Sequence, residues 1–284
     1  MIPTGFEYAR ARSLRDALNT LAAGDGVKVV AGGHSLLPLM RFRLAQPSKL
    51  VDIGHLNELK GVEAKGRKVR IGAATTYRDL IESEALVARY PLIVEAGLSI
   101  GDLQVRNLGT IGGGLAHADP ASDMPAVMLA LGATFNLRSK AGKRAVEAKD
   151  FFQGAFTTAM REDELLIDIV LPAPPAKAGM AYVSMEQQAS GYALAGAAAV
   201  VTRSRKTVKT AVVALTGVTD RAVLADVSGV VGTHADAAGL EAAVQDLTRG
   251  LDVNGDIHAS AEYRAHLTRV VTKRALATAY GRID

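Results

Sequence analysis

The sequence predicts an α+β chain in two parts, a larger N-terminal part and a smaller C-terminal part with an antiparallel sheet and helices. Three observations carry that expectation. Two glycine-rich segments, Ala31-Gly32-Gly33-His34-Ser35 and Thr110-Ile111-Gly112-Gly113-Gly114, each open onto a helix start in the N-terminal part. Pro172-Ala173-Pro174-Pro175 cannot continue a strand ladder and favours extended linker structure. Beyond it, three evenly spaced strand-like runs precede two stretches of helical period. The expected division is 1–173, with subdomains of about 1–54 and 55–173, and then 178–284.

In chain order, Leu14, Ala17, Leu18 and Leu21 recur at helical spacing after Ser13, a plausible N-cap with Asp16 in the first turn. Val27 to Ala31 reads as a strand that ends in the first glycine segment. Ser35 then caps a short helix from Leu36 to Phe42, and Lys49 to Ile53 is a second strand. Together they make a compact βαβ-like unit. Lys68 to Ala73 alternates as a strand, Thr76 to Ser83 starts a helix, and Pro91 to Ile100 is another. Asp119-Pro120 has the Ncap–N1 pattern for a helix running to Leu131, stopped by Gly132. Ala133 to Leu137 and Glu164 to Leu171 add β structure. After the prolines come strands around Met180 to Met185, Ala193 to Val201 and Lys209 to Val218, spaced as an antiparallel meander. Helices at Asp236 to Leu247 and Ala259 to Tyr280 close the chain, the last with Tyr263, Leu267, Val270 and Val271 on one face.

Composition narrows the function. The chain has 284 residues, 49% hydrophobic and 22% charged, with a scattered net charge of +4, which marks a globular protein without a nucleic-acid surface. It contains no cysteine, which excludes disulfides, thiolate nucleophiles and cysteine-held iron–sulfur clusters on this chain. Met1-Ile2-Pro3-Thr4-Gly5 has no signal-peptide pattern, and the longest apolar stretch, Tyr192 to Val201, is too short for a membrane span. A cytoplasmic protein is expected, with the inner face of the membrane as an alternative site.

Glycine lets a backbone approach a ligand and take up positive φ. Successive amide N–H groups in such turns cradle an anion. Two cradles in one chain suggest a dinucleotide pyrophosphate gripped from both sides. The first segment is not a Rossmann fingerprint, because G-x-G-x-x-G is missing. Neither segment carries the Gly-Lys-Ser/Thr end of a P-loop.

The flanks extend the pattern to Ala31-Gly32-Gly33-His34-Ser35-Leu36-Leu37-Pro38-Leu39-Met40, and to Val105-Arg106-Asn107 through Thr110-Ile111-Gly112-Gly113-Gly114, Ala116-His117, Asp119-Pro120, Asp123 and Pro125-Ala126. These motifs resemble the FAD-binding (medium) subunits of the molybdenum hydroxylase and xanthine dehydrogenase family, with a vanillyl-alcohol-oxidase-like (PCMH-type) FAD-binding domain in two subdomains. His34 most resembles the aerobic carbon monoxide dehydrogenase group. Gly196-Ala197-Ala198-Ala199, Gly217-Val218 and Ala261-Glu262-Tyr263-Arg264 resemble the family's small C-terminal domain.

The resemblance implies FAD held through Ala31, Gly32, Gly33, His34, Ser35, Leu36, Thr110, Ile111, Gly112, Gly113, Gly114, Asp123 and Tyr192. The glycine segments would hold the pyrophosphate, Asp123 the adenosine ribose, and Tyr192 would lie near the isoalloxazine ring. No catalytic side chain and no metal on this chain are expected. Each residue also has a plain reading. Asp123 favours a helix N-terminus through the dipole, His34 fixes its loop, and Tyr192 packs in the core. His117 and Asp119 have metal-like spacing but no third ligand nearby, so capping by Asp119 is the preferred reading.

One stretch departs from the family, Met185-Glu186-Gln187-Gln188-Ala189-Ser190-Gly191-Tyr192. Relatives carry Lys or Arg shortly before the tyrosine, followed by Asp. Here Glu186, Gln187, Gln188 and Gly191 stand instead, which puts the electron acceptor in doubt. The expected function is electron transfer from partner iron–sulfur clusters through FAD to an external acceptor. Molybdopterin would sit on a large partner and [2Fe–2S] clusters on a small one, in a dimer of heterotrimers. The alternatives are a stand-alone FAD oxidoreductase with its own substrate pocket, and a binding module without cofactor.

Overall fold

A computed structural model describes residues 2–283. Three parallel strands, in the order Glu7–Arg10, Lys49–Asp52, Val27–Val30, form the first sheet. Ser13 caps the helix Leu14–Leu21 by accepting from the Asp16 N–H, and the apolar stripe Leu14, Ala17, Leu18 and Leu21 is buried against this sheet. The predicted strand–turn–helix–strand unit is present, with Glu7–Arg10 added at its edge.

The second sheet has five antiparallel strands in the order Val62–Lys65, Lys68–Gly72, Leu165–Leu171, Thr134–Arg138, Lys143–Glu147. Its central strand, Leu165–Leu171, returns from far along the chain. Thr76 opens the helix Tyr77–Ile81 with a reciprocal capping box to Asp79. Helix Pro91–Ser99 has proline at its first position. Helix Asp123–Leu131 is buried along its whole length and ends at Gly132 with φ +63.

That helix starts three residues later than Asp119-Pro120 predicts. Ala118 takes a left-handed conformation (φ 51) that ends the preceding helix, Ile111–His117. The Pro120 and Ala121 carbonyls then accept from Gly217 N and Ala193 N, which holds the segment out of helical geometry.

The third sheet is an antiparallel meander, Ala178–Glu186, Ala193–Ser204, Thr207–Thr216, Val223–Ala225. One face joins the core of helices Pro91–Ser99 and Asp123–Leu131, and the other is covered by helix Ala261–Gly281. Burial on both faces explains why Ala193 to Val201 shows no polar alternation. Close packing of the final helix accounts for a small residue on the adjacent strand: a Cβ on Gly179 would overlap the Ala279 carbonyl. The buried stripe of the final helix is Arg264, Leu267, Thr268, Val271, Thr272, Ala275, Leu276 and Ala279. Tyr263, predicted on the buried face, is exposed, because Arg264 occupies the place where the first turn meets the sheet. Among the described residues no helix is long and apolar enough to cross a membrane.

Candidate functional site

The two glycine segments lie against each other. A Cβ on Gly32 would overlap the Leu108 carbonyl oxygen and come within 2.8 Å of Gly109 Cα, so glycine here lets one backbone cross the other. Gly33 follows with φ +74, a conformation other residues adopt only with strain. The His34 ring nitrogen Nδ1 meets the Gly32 carbonyl at 2.7 Å, which braces the turn. Among the described residues, the N–H groups of Gly32, Gly33, His34 and Ser35 donate to no protein acceptor. Ser35 stands before helix Leu36–Arg41 but makes no capping bond, so its hydroxyl is unspent too. The predicted Ser35 cap is absent.

The second segment differs from its sequence reading. It is the N-cap and first turn of helix Ile111–His117, and the amides of Ile111 to Gly114 are spent inside the protein. Ile111 N donates to Thr75 O at 3.0 Å, Gly112 N to Ala73 O at 2.8 Å, and Gly114 N to Thr110 O at 3.0 Å. Gly113 N donates to the capping Thr110 hydroxyl at 3.2 Å. The expected pair of N–H cradles is therefore one cradle, in the first segment. The later glycines matter for their lack of bulk. Gly112 packs on Ala73, and Gly114 makes room for the Tyr77 hydroxyl. A Cβ on Gly113 would meet only the Thr110 hydroxyl, at 2.8 Å, with no other protein atom within 4 Å.

Both segments wall a cavity of about 660 Å³. All the residues predicted from sequence line it except Ile111, which is buried in the core. Tyr77, Gly101 and Arg161 also line it and were not singled out by sequence reasoning, and Val105, quoted there only as a motif flank, lines it as well. The signal for Tyr77 was available in Gly109 and Gly114, whose missing side chains make room for its ring.

Asp123 is the charged group this cavity buries most deeply. It stands at the first turn of its helix, is 4% exposed, and accepts a hydrogen bond from the Tyr182 hydroxyl. Burial pushes its carboxyl up to about 7, the Tyr182 bond opposes that, and Glu186 raises it further. The same burial, with Asp123 nearby, lifts the Tyr77 and Tyr182 phenols. Tyr192 is 47% exposed at the cavity edge, and its phenol is raised by burial and then by Asp119 and Asp123. Its neighbour Ala193 donates to Ala121 O, which ties the Tyr192 hairpin to the segment that leads into Asp123.

His117 lies against Phe156 with ring centroids 5.0 Å apart and the planes tilted at 45°, and burial lowers its pKa. Asp119 accepts from Ala121 N at 2.9 Å, the local turn of the capping reading, displaced from a helix start. Among the described residues no group of three or more His, Asp or Glu could hold a metal ion. The divergent stretch forms the hairpin before Tyr192, closed by Gln187 N to Tyr192 O at 2.9 Å and Gly191 N to Gln187 O at 2.8 Å. Gly191 has φ +73, so glycine suits that turn better than the family's Asp.

The arrangement offers unspent amides for an anion at one place and an acid among tyrosines at another. The chain resembles known proteins along its whole length. A family described as the FAD binding domain in molybdopterin dehydrogenase matches residues 4–174, and the CO dehydrogenase flavoprotein C-terminal domain matches residues 180–279. The carbon monoxide dehydrogenase medium chain of Afipia carboxidovorans is 41% identical, over 99% of both chains. The glyceraldehyde dehydrogenase medium chain of Sulfolobus acidocaldarius is 36% identical, over 97% of this chain and 98% of that one. Among solved structures, the carbon monoxide dehydrogenase of Hydrogenophaga pseudoflava superposes with a TM-score of 0.96 at 39% identity, covering 100% of both chains.

Proposed function

The chain belongs to the molybdopterin dehydrogenase FAD-binding family, and from that premise we propose that it is the FAD-binding, electron-transfer subunit of a molybdenum hydroxylase complex. The observation that carries this reading is the unspent amide turn Gly32 to Ser35, opening on a cavity shared with Gly113, Asp123 and Tyr192. These residues fit the cofactor. The amides of Gly32, Gly33 and His34 and the Ser35 hydroxyl would hold the pyrophosphate, with Ala31 and Leu36 shaping the turn. Thr110 and Gly112 to Gly114 supply a wall without bulk, and Tyr192 borders the flavin. When bound, FAD supplies the redox chemistry, taking up electrons and passing them to an acceptor. The chain's own residues position it and exclude water.

The absence of cysteine supports partners that carry the metal centres, a large molybdenum-binding subunit and a small iron–sulfur subunit, assembled as a dimer of heterotrimers. The domain division at 1–173 and 178–284 is supported by the proline linker and by the break between the two family matches. The relatives' names span carbon monoxide and glyceraldehyde. Substrate choice therefore belongs to the molybdenum partner, and carbon monoxide is the first candidate to test. Purification of the tagged chain from its native cells is expected to bring down FAD, a molybdenum chain and an iron–sulfur chain. A flavin on this chain alone, reduced directly by a small substrate with no partner present, would contradict the subunit reading.

A further inference from the structure

We propose that Tyr182 is a positioning residue for this site: laid across Gly196, its hydroxyl holds Asp123 at the cavity wall as an acceptor for a hydrogen-bond donor on the flavin end of the cofactor. The proposal rests on the FAD reading above and adds a residue from the C-terminal sheet to it.

Three features carry it. First, Asp123 is buried, lines the cavity, and among the described residues pairs with no cation. A buried acid without a cation costs free energy unless something uses it. Its one side-chain partner is the Tyr182 hydroxyl.

Second, the sheet is shaped to let Tyr182 reach. Gly196 on the neighbouring strand stands opposite Ser184, and a Cβ there would overlap the Tyr182 hydroxyl and come within 2.9 Å of Thr216 Cγ2. The Tyr182 backbone N–H donates to Glu95 at 2.7 Å, and Arg282 pairs with the same carboxylate at 2.6 Å. The tyrosine is thus fixed at both its backbone and its tip.

Third, Asp123 and Tyr192 share one seam. Thr216 Oγ1 donates to Ser122 O at 2.6 Å and Gly217 N to Pro120 O at 2.9 Å, beside the Ala193 to Ala121 bond. An extended dinucleotide cannot bring its adenosine ribose and its isoalloxazine ring to one place. With Tyr192 at the ring, Asp123 meets the flavin end and not the adenosine ribose.

The groups facing Asp123 are Tyr182 and Glu186 from the sheet, Tyr77 from helix Tyr77–Ile81 and Tyr192 from the hairpin, with Asp119 just upstream. None is a cation. An ionised Asp123 is the better acceptor, so FAD should bind more tightly as pH rises through about 7. The Tyr182 bond favours the ionised form, so its loss moves that midpoint upward.

The test is FAD affinity of the full chain, stripped and reloaded, by fluorescence from about pH 5.5 to about pH 8.5. Tyr182→Phe is expected to shift the midpoint to higher pH and to weaken binding at neutral pH by about tenfold. Gly196→Ala, which displaces the ring while keeping the hydroxyl, should do the same. Asp123→Asn should flatten the profile. A Tyr182→Phe chain that melts earlier but keeps the wild-type pH profile overturns the proposal. So does an Asp123→Asn chain that stays pH-dependent, which would assign the titration to another group. If the wild-type chain binds no FAD at any pH, the cofactor reading itself fails, a distinct result.

Discussion

A Gly113→Val chain is expected to fold and to hold no FAD. The added Cβ would meet the Thr110 hydroxyl and no other atom outside its own helix backbone, and Gly113 lines the cavity assigned to the cofactor. Its cost to folding is the weakened Thr110 cap, about 1 kcal/mol, partly offset by a few tenths of a kcal/mol because valine is a better helix former than glycine. Its cost to binding is the overlap with a close-packed ligand, about 3 kcal/mol or two orders of magnitude in affinity. Gly112→Val is the contrasting variant. There a Cβ comes within 2.6 Å of the Ala73 carbonyl oxygen, so the fold itself must yield. Thermal melting and flavin content, measured on both variants, separate the two effects. Equal flavin loss with equal destabilisation would remove the distinction drawn between these neighbouring glycines.

The second large effect concerns a residue outside the cavity. Arg264 is buried at the start of the final helix, donating to Leu194 O at 2.9 Å, to Gly217 O at 2.8 Å and to Asp256 at 2.5 Å. Arg264→Leu would leave the buried Gly217 carbonyl and the partly buried Leu194 carbonyl without this donor, for a loss of about 2–4 kcal/mol in urea unfolding. Gly217 also holds Pro120, and Leu194 follows the Ala193 that holds Ala121. The same variant should therefore release FAD more readily than its stability loss alone explains, because the seam beside Asp123 slackens. Unchanged FAD affinity in the surviving folded fraction would confine Arg264 to stabilising the C-terminal sheet.

The sequence was legible where its patterns were local. Ser13, Thr76 and Gly132 mark helix ends through bonds and dihedrals within a few residues. The alanine-rich strand and its neighbours read as a meander because hairpins join them directly. Of the strands missed, Glu7–Arg10, Val62–Lys65 and Lys143–Glu147 are charged edge strands whose polar residues conceal the β pattern, while Phe152–Gly154, Thr157–Thr158 and Val223–Ala225 are only two or three residues long. Asp119-Pro120 misled because the bonds that keep it out of the helix come from Ala193, Thr216 and Gly217, far along the chain. The site had the same character. Its glycines were visible as a pattern, but not which of them cradles, which crosses a backbone and which opens space. Tyr182 carried no local signal, since its role depends on Gly196 beneath it and Asp123 beyond it.

The most direct measurement is the flavin content of the full chain, incubated with FAD, freed of excess cofactor and read by absorbance. The predicted result is one FAD retained per chain in the wild type and none in Gly113→Val, with both chains folded. A folded wild-type chain that retains no flavin, or a folded Gly113→Val chain that retains it fully, would contradict the assignment of this cavity to FAD.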